Sequence, residues 1–123
     1  SVFSICIEPD GTQWFGTARG VARHKGYKTL ENWKVFTAKD GLVNEFVNTI
    51  AADNSGNIWF GTRGGISVYD GASMKSLTIK DGLPGNDIKC IRTDKKDVVW
   101  IVTEKGIMSY EKGEMTFYGK PDN

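Results

Sequence analysis

One short phrase recurs three times along the chain: Gly11-Thr12-Gln13-Trp14-Phe15-Gly16-Thr17, Gly56-Asn57-Ile58-Trp59-Phe60-Gly61-Thr62 and Asp97-Val98-Val99-Trp100-Ile101-Val102-Thr103. The three tryptophans are separated by 45 and 41 residues. A self-similar period of about 40–50 residues marks a blade of a radial, propeller-like array. This constrains the fold more than any single residue does, because one such unit cannot bury both of its apolar faces alone.

The self-similarity extends well beyond tryptophan. Ile5, Ile50 and Ile91 align, each followed three residues later by an acid: Glu8, Asp53 and Asp94. Downstream, Gly20-Val21, Gly65-Ile66 and Gly106-Ile107 correspond, as do His24, Tyr69 and Tyr110. Phe36, Leu77 and Phe117 mark a last apolar strand, and Asp40-Gly41-Leu42 and Asp81-Gly82-Leu83 close the first two units. The chain therefore divides into three units, about 1–43, 44–85 and 86–123, with no linker left over.

Each unit reads as four short strands. In the second, Phe46 to Asp53 alternates apolar and polar residues, and Asn54-Ser55-Gly56-Asn57 is turn chemistry. Ile58 to Thr62, Ile66 to Tyr69 and Met74 to Ile79 supply the other three strands. Unit one has a longer third loop, Lys25 to Asn32, with room for one helical turn at Leu30-Glu31-Asn32. The expected fold is all-β: three four-stranded antiparallel propeller blades, with Ile5, Trp14, Ile50, Trp59, Ile91 and Trp100 as the blade core. Propellers close with about four to eight blades. Three blades thus expose two apolar end faces, to be covered by a homodimer forming a six-bladed ring or by further blades of a longer chain.

Sixteen basic and fifteen acidic side chains leave the chain near neutral, which argues against a dedicated nucleic-acid binder. The one basic cluster, Arg19, Arg23, His24, Lys25 and Lys28, reads as a solvated loop and strand edge. No apolar run approaches the roughly 18–20 residues needed to cross a bilayer. The start at Ser1 fits an exported, cleaved chain or an excised piece. Cys6 and Cys90 fall on the first strands of units one and three with unit two between them. Bridged cysteines need α-carbons within about 7 Å, so free, buried thiols are expected.

Written out, the repeat resembles that of the two-component regulator propellers, the ectodomains of bacterial hybrid two-component sensors. The matching elements are Trp14-Phe15-Gly16-Thr17, Trp59-Phe60-Gly61-Thr62, Tyr69-Asp70, Asp40-Gly41-Leu42 and Asp81-Gly82-Leu83. Unit three departs, with Val102 in place of glycine and Asp97 at the turn glycine. The resemblance implies a periplasmic or extracytoplasmic module that perceives a ligand and signals, without naming that ligand.

Little chemistry of other kinds is legible. Glu8, Asp53 and Asp94 recur in every unit, as hairpin-holding side chains do and catalytic groups seldom do. Asp40 and Asp81 read as structural in the same way. His24 is the sole histidine and replaces a tyrosine of the other units, with no triad partner at a recognisable spacing. The cysteines lack zinc spacing. No catalytic residue, metal ligand or cofactor is expected, and the chain is read as a non-enzyme. A propeller lyase or hydrolase, and a pure self-assembly half-propeller, are the alternatives. Binding of a small molecule or carbohydrate is expected at the rim formed by the loops from strand two to three and from strand four to the next blade. That rim carries Arg19, Arg63, Lys105, Asn44 and Asn86.

Overall fold

The computed structural model describes residues 1–25 and 32–120. Twelve strands form three antiparallel sheets, joined by two 3-10 turns. Blade 1 comprises β1 (Val2–Ile7), β2 (Gln13–Thr17), β3 (Gly20–His24) and β4 (Trp33–Phe36). Blade 2 comprises β5 (Val47–Ala52), β6 (Ile58–Thr62), β7 (Gly65–Tyr69) and β8 (Met74–Leu77). Blade 3 comprises β9 (Ile88–Thr93), β10 (Val99–Thr103), β11 (Gly106–Glu111) and β12 (Glu114–Gly119). Strand order within each blade follows the chain. Between blades the closest approach is through β1, β5 and β9, which places these first strands innermost, nearest the propeller axis. The helical turn expected at Leu30-Glu31-Asn32 lies outside the described residues. None of the described helices is long and apolar enough to cross a membrane.

The recurring phrase has a local cause at each position. The Trp59 indole N–H donates to Asp53 Oδ2 at 3.0 Å, and Trp100 donates to Asp94 Oδ2 at 2.9 Å. In blade 1 the longer Glu8 takes the same bond from Trp14 at 2.7 Å. The other oxygen of the aspartates holds the first hairpin, accepting from the backbone N–H of Ser55 and Asn57, or of Lys96 and Val98. Glu8 is too long for that second task, and Asp10 accepts from Thr12 N–H instead. The threonine ending each phrase clamps the next turn: Thr62 Oγ1 donates to Gly65 O and accepts from Gly64 N–H. Thr17 and Thr103 do the same in their blades.

Two clusters form the core, one at each junction between blades. Trp14, Val21 and Phe36 of blade 1 meet Val47, Ile50, Ile58 and Phe60 of blade 2. Ala51, Trp59 and Ile66 of blade 2 meet Ile88, Ile91, Val99, Ile101 and Met108 of blade 3. Each tryptophan thus faces the following blade, while the isoleucine of each first strand faces the preceding one. Trp14 lies 5.5 Å from Phe60 and 5.9 Å from Tyr69, and Trp59 lies 5.1 Å from Tyr110.

Ile5 and Trp100 lie on the two end faces expected to be bare in three blades alone: Ile5 is 59% exposed and Trp100 half-buried. The structure corrects three expectations. Phe117 does not continue the Phe36 and Leu77 position. A register shift next to Gly119 pairs Phe117 with Met108, and Tyr118 instead reaches the tryptophan, with ring centroids 5.4 Å apart. Both cysteines are free but half-buried; burial, reinforced by the nearby Glu8 charge, pushes the Cys6 thiol pKa up. Finally, the Asp-Gly-Leu steps are 3-10 turns, Ala38–Asp40 and Ile79–Asp81. Asp40 and Asp81 accept from the backbone N–H of Thr37 and Thr78, closing a capping box.

Gly61, on β6, packs against the first strand of blade 3. A β-carbon there would press on Thr49 Cγ2 and lie 2.6 Å from Ile88 Cγ2 and 3.1 Å from Ile91 Cδ1. Gly61→Ala is expected to destabilise the chain by about 1–3 kcal/mol through overpacking, as measured by urea unfolding. Gly11→Ala meets no neighbour within 4 Å, so its cost is that of the positive φ alone. Equal stability of Gly61→Ala and wild type would contradict this packing.

Candidate ligand-binding rim

The turns from second to third strand and the connectors between blades share one end of the sheets. Gly20 N–H donates to Glu45 O at 2.6 Å, Arg63 N–H to Phe46 O at 3.2 Å and Glu104 N–H to Asp87 O at 3.2 Å. This rim brings Arg19, Arg63 and Lys105 onto corresponding turns, all exposed. They are not strictly equivalent: Arg63 is the first residue of its turn, Arg19 and Lys105 the second. Only Arg63 has a defined seat, its guanidinium lying 3.6 Å from the centre of the Phe46 ring.

The two asparagines serve the backbone. Asn44 Oδ1 accepts from Phe46 N–H at 2.9 Å. Asn86 Oδ1 accepts from Ile79 N–H at 3.0 Å, the place that Glu45 fills for Ala38 in the preceding connector. Asn44 and Asn86 therefore occupy different positions of the repeat, and their carbonyl oxygens are engaged in holding turns.

Sequence reasoning missed a second set of residues on the same rim. Each innermost strand carries a β-bulge at the same place. Val2 pairs with Thr17 and Ser4 with Gly16, so Phe3 is the extra residue. Asn48 is extra between Val47 and Thr49, and Lys89 between Ile88 and Cys90. A bulge leaves its residue out of the ladder and re-aims the side chain. The flanking positions repeat (Val, Val, Ile before; Ser, Thr, Cys after), whereas the bulged residues are Phe, Asn and Lys. That contrast, one backbone geometry with three unlike side chains, was the available signal.

Around these bulges the rim changes character from blade to blade. Phe3, 45% exposed, stacks on Phe46 with centroids 5.0 Å apart, next to Arg63. Asn48 Nδ2 donates to Ile88 O across the blade junction at 2.9 Å. Lys89 pairs with Asp87 at 2.8 Å, and the other oxygen of Asp87 is buried without a hydrogen-bond partner. The result is an aromatic and cationic sector beside an amide and an ion pair.

The opposite rim carries the first hairpins and a cleft at each blade junction. The larger, about 300 Å³, lies between blades 2 and 3 and is lined by Asp53, Asn57, Trp59, Lys96, Asp97 and Tyr110 among others. Two of its carboxylates are already committed: Asp53 to its hairpin, and Asp97 Oδ1 to the N–H of Asn54. Among the described residues no group of three or more His, Cys, Asp or Glu is arranged to hold a metal ion. His24 lies on β3, away from the axis, with its ring 4.7 Å from Trp33.

Residues 41–64 and 82–105 each match the two-component regulator propeller. Those two segments are two-component regulator propeller repeats. Both matched segments run from a Gly-Leu step through an innermost strand and its tryptophan strand to the rim turn that follows. The extracellular domain of a hybrid two-component system from B. thetaiotaomicron is similar over 98% of this chain and 17% of its own length, at 23% identity and a TM-score of 0.80. That of a one-component system from the same organism is similar over 98% and 16%, at 22% identity and a TM-score of 0.71. Virginiamycin B lyase from Staphylococcus aureus is similar over 98% and 42%, at 16% identity and a TM-score of 0.73. At these identities the likeness is one of fold, and the chain spans about a sixth of the length of the two ectodomains. No curated protein matches the chain.

The tryptophan-to-carboxylate bonds carry a pH signature. Burial works against ionised Asp53, yet the donors from Trp59, Asn57 and Ser55 hold its carboxyl below the usual carboxylate range. The Trp100 indole, then the Val98 N–H, does the same for Asp94. A carboxyl held below its unfolded pKa of about 3.9 contributes fully above that value, and the contribution vanishes as pH falls through the folded value. Asp53→Asn is therefore expected to lose about 1 kcal/mol at neutral pH, a value discounted for partial exposure. The Tm gap to wild type should hold from about pH 7 to about pH 5 and narrow as pH falls below about 4. A gap still constant below about pH 4 would contradict the assignment.

Proposed function

We propose that this chain is a non-catalytic binding module of a sensor ectodomain on the extracytoplasmic side, reading its ligand at the rim nearest the propeller axis. The observation carrying this reading is the bulge repeated in all three innermost strands, which displays Phe3, Asn48 and Lys89 from one backbone position. A repeat built only to stack blades has no need to vary that residue. Phe3 and Phe46 offer an apolar platform, Arg63 and Lys89 offer cations, and Arg19 and Lys105 extend the same rim. A small ligand with one apolar face and an anionic group, such as a uronic saccharide, meets those features together. The blades on either side of the three seen here, from a second copy or a longer chain, complete the rim.

The likeness to virginiamycin B lyase brings no reaction with it, since one fold hosts many functions. In this chain His24 stands on the third strand of its blade, away from the axis, where it stacks on Trp33.

Titration of the 15N-labelled chain with neutral and uronic mono- and oligosaccharides tests the reading by amide chemical shifts. Shifts are expected at Phe3, Asn48, Arg63 and Lys89, with uronic sugars favoured. Arg63→Ala is expected to weaken binding about tenfold, the loss of one charge-assisted contact of about 1.4 kcal/mol. Shifts confined to the clefts of the opposite rim, or none with any sugar, would reject it.

A further inference from the structure

We propose that the outer part of the junction between blades 2 and 3 is a second binding site, for a small organic cation with a flat apolar body, such as an arylamidine. It stands apart from the axial rim and rests on neither the residues nor the ligand of that rim.

The two junctions within the chain are built from the same rows of residues, and comparing them locates the site. Across blade 1 the register aligns Cys6, Trp14, Arg23 and Lys34. Across blade 2 it aligns Ala51, Trp59, Val68 and Lys75. Nearby, Phe36 pairs with Val21 in blade 1, and Leu77 pairs with Ile66 in blade 2. At the first junction Phe36 is buried, its ring 5.6 Å from Trp14 and 5.2 Å from Tyr69. The Arg23 guanidinium lies against the same rings, 5.3 Å from Phe36 and 5.6 Å from Trp14. Its Nε is buried with no hydrogen-bond partner, so the rings hold it there.

At the second junction Val68 and Leu77 are too short to fill that space, and both are only half-buried. A pocket of about 260 Å³ lies there, with Val68 and Leu77 as its floor, Trp59 and Tyr110 as aromatic walls, and Asp70 and Lys75 at its edge. A dry cavity of about 150 Å³ already holds benzene, so one ring with a polar group fits. Charge changes together with shape. Lys34 and Lys75 correspond, but Arg23 gives way to Val68 and Lys25 to Asp70. The N–H groups of Ser73 and Ala72 hold the Asp70 carboxyl below the usual carboxylate range, and Asp53 adds a second carboxylate to the lining. The first junction fills itself with a phenyl ring and a planar cation. A molecule carrying both completes the second, where the aromatic walls add cation–π attraction.

Titration of the 15N- and methyl-labelled chain with benzamidine, and with benzoate as the same shape of opposite charge, tests this. Benzamidine is expected to shift the Val68 and Leu77 methyls and the Trp59 indole N–H, and to bind about tenfold more tightly than benzoate. Val68→Arg with Leu77→Phe, copying the first junction, is expected to abolish that binding. Should this pair perturb folding, Asp70→Lys, at an exposed turn, decides: it is expected to weaken benzamidine about tenfold. Benzoate binding as tightly as benzamidine, or undiminished binding to the filled chain or to Asp70→Lys, would each overturn the proposal. So would benzamidine shifts at Phe3, Arg63 and Lys89 in place of Val68 and Leu77, or no shifts at all.

Discussion

The tryptophan of each blade, pinned by a carboxylate at its own first hairpin, presses on the isoleucine and aromatic face of the next blade. The rest of the structure depends on that contact. The indole nitrogen finds its acceptor at the edge of the sheet, so the large ring can be buried without leaving its N–H unpaired. The opposite face of the ring then meets Tyr69 or Tyr110 and the apolar residues of the first and second strands that follow. Sheets this small have little core of their own, and burial accrues almost wholly between them. Stability in such an array is close to a sum of unit and nearest-neighbour contributions.

The same arrangement separates what must repeat from what is free to vary. Gly16 and Gly61 repeat because a β-carbon would strike the next blade's first strand. The threonines after them repeat because each clamps a tight turn. The bulged residues stand outside the strand ladders, and there the blades diverge into Phe3, Asn48 and Lys89, of which Asn48 also bonds across its junction. Architecture thus occupies the sheet faces and leaves the axial rim freer to vary.

Most of the architecture was legible because each strand role is written three times. The strand count, the hairpin-holding acids and the bare ends all follow from superposing the units. The 3-10 turns were not legible, because Thr37 and Thr78 signal them only through a capping box with an aspartate three residues on, read instead as a closing triplet. Tyr118 escaped because one register shift near Gly119 exchanges the faces of the last strand, a change invisible to simple alignment. At the rim, the turn-holding bonds of Asn44 and Asn86 were not legible, and Phe3 looked like ordinary strand sequence but is an exposed ring.

Equilibrium unfolding of Trp59→Ala, followed residue by residue by NMR, tests the dependence on blade contacts most directly. Trp59 touches the junction of blades 2 and 3 and lies far from blade 1. Its truncation is expected to cost about 3–5 kcal/mol, and blade 1 should unfold at a correspondingly lower urea concentration along with the other two. Retention of blade 1 at its wild-type midpoint while blades 2 and 3 unfold would show that the blades stand alone, and would contradict the account.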